Sequence, residues 1–231
     1  MNAIVLAAGL GTRLGELGTR VPKVLVPVGG RPLLERHLEA LEQAGVQRVV
    51  VNAYHLASQV EAFVRGYTRS LELVCLVEPR LLGTAGSVRE ALRHLEPGPF
   101  LVVYGDVFLE DELAPLVWTH RHHQPAATLA VHEESSSEAK GVVEVDATGR
   151  VTRFLEKGEQ RQGRFLINSG VYMLESRFVA SLPQSVPLDF GHDVLPQAVT
   201  AGSPIVVHRL TRPVVDIGTA GGLARAEALL R

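Results

Sequence analysis

The sequence predicts an α/β protein with a mostly parallel sheet that is covered by helices on both faces. Up to about residue 125, short apolar runs alternate with segments of helical period, which is the pattern of successive β–α–β units. After that point, strand-like runs follow one another with few helices between them. No low-complexity linker or internal repeat divides the chain, so we expect one domain over residues 1–231.

In the first half, four strands alternate with three helices. The first long helix has one face made of Leu33, Leu34, His37, Leu38 and Leu41, and Gly45 is its stop signal. Ser87 and Glu90 have capping-box spacing, which predicts that the third helix begins there. The predicted strands are "AIVLA", "RVVVN", "LELVCLV" and "PFLVVYGD", and the helices are "PLLERHLEALEQAG", "HLASQVEAFV" and "SVREALRHL".

In the second half, we expect added β elements that extend over the carboxyl edge of the first-half sheet. The strand-like runs are separated by the turn "ATG" and by the polar stretch "KGEQRQG". The predicted strands are "AATLAVH", "GVVEVD", "RVTRFLE", "FLINSGVYML", "PIVVHRL" and "PVVDI", and the helices lie around "GHDVLPQAVTA" and "GGLARAEALLR".

Composition disfavours several classes of protein. The 23 basic and 25 acidic residues give a net charge of −2, so no excess of positive charge points to nucleic acid or to an anionic membrane surface. No apolar run is long enough to cross a bilayer or to serve as a signal-peptide core, and we therefore expect a cytoplasmic location. Cys75 lies in an apolar run and is expected to be a buried thiol. Nothing in the composition argues against assembly of this chain into a homo-oligomer.

The opening stretch "AIVLAAGLGTRLGELGTRVPK" is a glycine-rich loop that follows a strand. It is not a dinucleotide fingerprint, because Leu14 stands at the third glycine position and Asn52 stands where an acid for the ribose is expected. No P-loop motif occurs in the chain. Glycine N–H groups, Arg13 and Lys23 could instead hold phosphate. The alternative to phosphate binding is that these glycines only form a tight turn.

The complete set of motifs resembles the family of nucleoside-triphosphate:sugar-1-phosphate nucleotidyltransferases. The opening block "LAAGLGTRL…VPKVLVPVGGRPLLERHLEAL" is followed, in the family's order, by "EPRLLGTAGSV", "VVYGDV", "GVVEVD", "FLEK", "INSGVYML", "DFGHDVLP" and "VVDIGT". The resemblance implies a Rossmann-like three-layer α/β/α sandwich. It also implies a nucleotide-binding half over residues 1–125 and a sugar-phosphate-binding half over residues 126–231.

The resemblance assigns residues as well. Arg13 is expected on the departing pyrophosphate, Lys23 on the α-phosphate and Lys157 on the sugar phosphate, and Asp106 with Asp216 is expected to hold Mg²⁺. These five residues form the expected catalytic set. The nucleotide-binding positions are Leu6, Ala7, Ala8, Gly9, Gly11, Thr12, Glu78, Gly83 and Thr84. The sugar-phosphate-binding positions are Gly141, Glu156, Lys157, Asn168 and Gly170.

The expected reaction needs positioning and charge neutralisation more than a reactive side chain. A sugar-phosphate oxygen, already anionic at neutral pH, attacks the α-phosphorus and expels pyrophosphate, so no protein nucleophile or general base is required. The chain has three lysines among its 23 basic residues, and two of them, Lys23 and Lys157, fall on the family's lysine positions. Lys140, before Gly141, stands where the family more often has an aromatic residue.

The nucleotide and the sugar are less well defined by the sequence. A carboxylate at Glu78 suits the adjacent N–H donors of guanine, and the motifs look most like mannose- or heptose-1-phosphate guanylyltransferases. The hypothesis is therefore GTP with mannose 1-phosphate or a related manno-configured sugar. A UTP- or dTTP-dependent glucose- or amino-sugar-1-phosphate nucleotidyltransferase is the alternative. Two hypotheses from other functional classes are an inactive regulatory subunit that only binds a sugar nucleotide, and a nicotinamide-dependent oxidoreductase.

The histidines of "HRHHQ" offer no metal site by their spacing. His120, His122 and His123 are adjacent or two residues apart and do not converge on one helix face. They predict a solvated helix end.

Overall fold

The fold is built on a nine-stranded sheet to which both halves of the chain contribute. The structure, a computed structural model, describes residues 1–136, 141–155 and 162–230. The strands lie in the order β12–β8–β11–β6–β1–β4–β5, and β9 with β10 continues beside β11 beyond the end of β6. The strands are β1 (Asn2–Leu6), β2 (Pro27–Val28), β3 (Arg31–Pro32), β4 (Arg48–Ala53), β5 (Glu72–Val77), β6 (Pro99–Tyr104), β7 (Val107–Leu109), β8 (Ala127–Ser136), β9 (Val142–Val145), β10 (Val151–Leu155), β11 (Gln162–Glu175), β12 (Ile205–Arg209) and β13 (Val214–Asp216).

Helices cover both faces of this sheet. The helices are α1 (Glu16–Arg20), α2 (Leu33–Gln43), α3 (Ala57–Gly66), α4 (Thr84–Ala91), α5 (Ala114–His123), α6 (Ser176–Ala180), α7 (Leu195–Thr200) and α8 (Ala220–Leu229), with a π-helical turn over Phe190–Val194. Side chains alternate between the faces along each strand: Ile4 of β1 packs in the core with α4, whereas Ala3 and Val5 pack in the core with α2, α3 and α5. The sheet and the helices on its two faces therefore form three layers.

The parallel and antiparallel parts of the sheet meet at β6. Strands β6, β1, β4 and β5 run parallel, and β11 pairs antiparallel with β6. Val171–Glu175 of β11 pair with β6, while the preceding part of β11 projects past the carboxyl end of β6 and pairs with β8 and β9. The second half therefore adds strands over the carboxyl edge of the first-half sheet, as the sequence predicted.

A third, smaller core fixes the last helix beside the opening loop. Its buried members include Leu14 of the loop, Phe108 of β7, Val215 of β13 and Ala226 of α8. Strands β7 and β13 form a separate antiparallel pair, in which Asp216 lies opposite Val107. This cluster connects the first 30 residues, the middle of the chain and its last helix.

Most predicted elements are confirmed, and three local expectations are wrong. Cys75 is only half-buried rather than buried. All five residues of the predicted apolar face of α2 are buried. The third helix begins at Thr84 rather than at Ser87, because Gly83, with φ of +78°, turns the chain into the helix and Ser87 N–H already donates to its carbonyl. His120 is buried between α5 and β8, although His122 and His123 are exposed. Strand β7 was not predicted.

In the part of the chain that the structure describes, none of the helices has the length and apolar character needed to cross a membrane.

His120 makes stability sensitive to acid. Its Nδ1 lies 2.9 Å from Thr128 Oγ1, and burial lowers the pKa of the imidazole, although Glu175 opposes this shift. The unfolded state therefore binds more protons below pH ~6.5, the ordinary pKa of histidine, and stability from this group is lost as the pH falls below that value.

We expect His120→Asn, whose amide can still bond Thr128, to flatten this dependence. The free energy of unfolding, measured with urea at several pH values below 6.5, should lose a slope of up to ~1.4 kcal/mol per pH unit relative to the parent. His123→Asn removes an exposed imidazole from the same helix and is the control. Equal slopes in the parent and His120→Asn would contradict this account.

Candidate active site

A cavity of about 1090 Å³ lies at the carboxyl edge of the parallel strands. Open α/β sheets bind ligands at this edge. Most of the residues expected from the sequence line it, namely Leu6, Ala7, Ala8, Gly9, Arg13, Lys23, Glu78, Gly83, Thr84, Asp106, Gly141, Asn168, Gly170 and Asp216. The structure therefore brings the expected nucleotide side and sugar side into one cavity.

Two expected residues do not line the cavity, and two others are not described by the structure. Gly11 and Thr12 do not line the cavity. Gly11 has φ of +72° and packs against Gly18, where a Cβ would collide with the Gly11 carbonyl, so these two glycines set the shape of the loop. Glu156 and Lys157 lie outside the described residues, as does Lys140.

Two ion pairs stand in the centre of the cavity. Lys23 Nζ lies 2.9 Å from Asp106 Oδ2, and both side chains are mostly buried. Arg13 Nη2 lies 3.2 Å from Asp216 Oδ2, with both side chains about half exposed. The Lys23–Asp106 pair is thus the more sheltered of the two.

The pairing of β7 with β13 places the two aspartates side by side. Asp106 immediately precedes β7, Asp216 ends β13, and Ile217 N–H donates to the Asp106 carbonyl at 2.9 Å. Gly218 N–H donates to Asp216 Oδ1 at 2.6 Å, which fixes that carboxylate. No side chain can be added at Gly222, because a Cβ there would collide with the Asp216 carbonyl oxygen.

The charges around the cavity do not cancel. Among the described lining residues, five are carboxylates (Glu78, Asp106, Glu134, Asp189 and Asp216) and three are cations (Arg13, Lys23 and Arg225). No group of three or more histidine, cysteine or acidic side chains within residues 1–136, 141–155 and 162–230 could hold a metal ion. Asp106 and Asp216 are thus a pair of carboxylates without a third such side chain that completes a metal-binding group among those residues.

At the β5 end, a chain of hydrogen bonds joins three strands. Ala7 N–H donates to Asn52 Oδ1 at 2.6 Å, and Asn52 Nδ2 donates to Glu78 Oε1 at 2.7 Å. Glu78 is 3% exposed, and its Oε2 accepts from Leu82 N–H at 3.3 Å. Glu78 therefore lines the cavity with both carboxylate oxygens already bonded to protein donors. Asn52 was not predicted as a site residue, although a polar residue near the end of a buried strand was a usable signal.

Next to this end, the Gly83 turn leaves no room for a side chain. A Cβ at Gly83 would collide with the backbone of Leu188. The Thr84 hydroxyl donates to Asp189 Oδ2 at 2.8 Å and accepts from Phe190 N–H at 2.9 Å. Thr84 thus joins α4 to the π-helical turn, and the "DFGHDVLP" segment becomes part of the cavity wall.

At the other end, a bulge in β11 shapes the wall. The pairing of β11 with β8 shifts between Asn168 and Tyr172, and Gly170 has φ of +69° over the ring of Tyr104. Asn168 Nδ2 donates to Tyr172 Oη at 2.7 Å. Burial raises the pKa of Tyr104 well above its ordinary value, so this phenol stays protonated. Three further residues line the cavity here that were not predicted from the sequence, namely His132, Glu134 and Ser169.

The fold and the site define a Rossmann-like α/β protein whose cavity lies between a glycine-rich loop and an added β layer. The chain belongs to the nucleotidyl transferase family, whose family model matches residues 2–231. The resemblance identified from the sequence motifs is thereby confirmed.

Comparison with known proteins gives relatives of two kinds. The chain is 30% identical over 235 residues to a UTP–glucose-1-phosphate uridylyltransferase of Synechocystis sp., covering 94% of this chain and 60% of that protein. It is 36% identical over 180 residues to probable mannose-1-phosphate guanylyltransferase 1 of Oryza sativa subsp. japonica, covering 75% and 50%. The chain thus spans about half to three fifths of the length of these relatives.

A solved structure confirms the fold class. The crystal structure of HddC from Yersinia pseudotuberculosis complexed with GMP-PN is 26% identical to this chain, with a TM-score of 0.83. The alignment covers 100% of this chain and 99% of that one.

The Asn52 network predicts a measurable stability cost. Asn52→Leu has a similar volume but leaves Ala7 N–H and the buried Glu78 carboxylate without their partner, so the free energy of unfolding in urea should fall by about 2–4 kcal/mol. Gln59→Ala removes an exposed amide that bonds the Arg20 carbonyl and should change stability by less than about 0.5 kcal/mol. A stability loss for Asn52→Leu no larger than that control would show that the network adds nothing.

Proposed function

We propose that this chain transfers a nucleotidyl group from a nucleoside triphosphate to a sugar 1-phosphate and releases pyrophosphate. The observation that carries the proposal is the convergence of Arg13, Lys23, Asp106 and Asp216 in one cavity at the carboxyl edge of the sheet. Membership of the nucleotidyl transferase family supports it. Both curated relatives described above are named for such transfers.

The reaction forms one P–O bond and breaks another. An oxygen of the sugar phosphate attacks the α-phosphorus, and the bond between that phosphorus and the bridging oxygen to the β-phosphorus breaks, so that pyrophosphate leaves with its electron pair. The attacking oxygen carries no proton that must be removed. Lys23 stabilises charge at the α-phosphorus, and Arg13 stabilises the leaving pyrophosphate.

Both cations must change partners for this to happen. In the structure, Lys23 is bonded to Asp106 and Arg13 to Asp216. Incoming phosphate oxygens compete for these cations, while the freed carboxylates must find other positive charge. Substrate binding and the release of the two aspartates are therefore linked.

The two aspartates fit a magnesium ion. Mg²⁺ is typically bound through one or two carboxylates together with substrate phosphates, and the described lining has more carboxylates than cations. Asp106 and Asp216 would hold the ion, which supplies positive charge for the phosphate oxygens when bound. Lys157, an expectation from the sequence, would add charge at the sugar phosphate.

For the base and the sugar, we propose guanine and a manno-configured sugar. The rice relative is named a mannose-1-phosphate guanylyltransferase, and HddC was crystallised with GMP-PN. Glu78 lines the cavity at the β5 end. Asn52 and Leu82 each use one acceptor site of its carboxylate, and guanine N–H groups would bond the remaining ones, since an ionised carboxylate has about four. The Synechocystis relative, named for UTP and glucose 1-phosphate, supports uridylyl transfer as the alternative.

The central charges predict a strong loss of turnover on substitution. Lys23→Ala and Asp106→Asn should each lower kcat for pyrophosphate release roughly 10²–10³-fold, because charge stabilisation at the reacting phosphorus is lost. Arg20→Ala removes an exposed arginine that pairs with Glu16 outside the cavity and should leave kcat unchanged. If Asp106→Asn binds nucleotide and turns over like the parent, the assigned metal role is wrong.

A substrate panel tests the base and the sugar. GTP, UTP, dTTP and ATP are each combined with mannose, heptose, glucose and N-acetylhexosamine 1-phosphates, and pyrophosphate release is measured. We expect GTP with mannose 1-phosphate to give the highest kcat/KM, and Glu78→Gln to lower kcat/KM for GTP about 10-fold with a smaller effect for UTP. Faster turnover with UTP or dTTP would overturn the guanine proposal.

A further inference from the structure

Three hydrogen-bonded side chains line the cavity without a role in the reaction described above. His132 Nε2 lies 2.9 Å from Glu134 Oε1, and His132 Nδ1 lies 2.8 Å from Ser169 Oγ. All three residues line the cavity. We propose that Glu134, held in place by His132 and Ser169, binds a hydroxyl group of the sugar and so helps to select the second substrate. This inference rests on the proposed function.

The hydrogen bonds fix the direction of each group. Because the Glu134 carboxylate can only accept, His132 Nε2 carries the hydrogen and donates it. In the neutral ring Nδ1 is then an acceptor, so the Ser169 hydroxyl donates to it. Ser169 is 3% exposed, whereas the side chains of His132 and Glu134 are 12% and 27% exposed. Glu134 is therefore the member that best reaches a ligand, and the other two hold it.

Strand geometry places the three residues on the cavity side of β8 and β11. Side chains alternate along a strand. Val131 packs in the core, and Glu133 pairs with Arg164 and Arg209 at the surface. His132 and Glu134 therefore share the opposite face. Ser169 lies in the β11 bulge between Asn168 and Gly170, two residues that the resemblance assigns to the sugar.

The strand order separates this group from the nucleotide. Asp106 follows β6, and β8 lies two strands away from β6, or about 10 Å at ~4.8 Å per strand. Glu78 follows β5, which lies on the other side of β6, so it is five strands or roughly 24 Å from β8. With the reacting phosphates at Asp106 and the base towards β5, the part of the second substrate that extends towards β8 is its sugar.

The charge of Glu134 specifies the kind of group it binds. A carboxylate repels a phosphate but accepts hydrogen bonds from hydroxyl groups, with a strength greater than that of a neutral acceptor. A site built to bond a hydroxyl group also discriminates strongly against an analogue that lacks it. We therefore assign Glu134 to a sugar hydroxyl rather than to the sugar phosphate or the nucleotide.

Steady-state kinetics with the nucleotide and sugar pair selected by the panel test this assignment. Glu134→Ala should raise KM for the sugar 1-phosphate roughly 10- to 100-fold while changing KM for the nucleotide less than about 2-fold. Ser169→Ala should act in the same direction, with a smaller effect. His132→Gln, whose amide can donate to Glu134, should retain more activity than His132→Phe. Glu133→Ala, on the opposite face of β8, is the matched control.

Monodeoxy sugar 1-phosphates identify the contact. For the analogue that lacks the hydroxyl bound by Glu134, the parent and Glu134→Ala should have similar KM values, whereas every other analogue should preserve the difference. An equal effect of Glu134→Ala on both substrates, or the same ratio for all analogues, would overturn the assignment.

A binding measurement separates this inference from the proposed function. Calorimetric titration of the parent and of Glu134→Ala with GDP-mannose and UDP-glucose requires no turnover. The sugar nucleotide that the parent prefers should bind Glu134→Ala more weakly than it binds the parent, while GDP or UDP should bind both proteins equally. This result supports the sugar contact even if the parent releases no pyrophosphate. Equal binding to both proteins, or failure of the parent to bind either sugar nucleotide, would reject it.

Discussion

The site depends on a small antiparallel pairing that lies outside the main sheet. Strands β7 and β13 form three residue pairs, too few to be stable alone. The apolar cluster beneath them, which includes Phe108, Ile217 and Ala226, supplies the missing stability. Because the pairing places Asp106 and Asp216 side by side, both ion pairs of the cavity depend on this cluster. The two ion pairs of the cavity therefore depend on the packing of the last helix, α8.

The main sheet arranges the cavity as a linear series of subsites. The ends of β5 and β4 provide Glu78 and Asn52, the loop after β1 and the turn after β6 provide the charged centre, and β11 with β8 provides the polar group at the far end. Regular strand spacing sets the distance between these subsites. The proposed reaction of two substrates at one phosphorus would need this kind of order, since each substrate would have to approach the reacting phosphorus from its own side.

Features governed by local sequence could be predicted. The main strands and the buried face of α2 follow from periodicity, and most of the expected site residues line the cavity. Strand β7 could not be predicted because its three residues follow β6 almost directly and gain order from β13, far along the chain. The start of α4 depends on Leu188, whose backbone excludes a side chain at Gly83. Asn52 and His132 gain their roles from partners on other strands. The roles assigned to all the site residues stay predictions, and Glu156 and Lys157 lie outside the described residues.

The ion pair between Arg13 and Asp216 joins residues 203 positions apart in the chain. Closing so long a loop is entropically costly and comes late in folding, because non-local contacts form more slowly than local ones. The parallel sheet can therefore be largely in place before the charged centre exists. The two aspartates also differ in what holds them: Asp106 directly follows β6 of the main sheet, whereas Asp216 depends on β13 and the packing of α8.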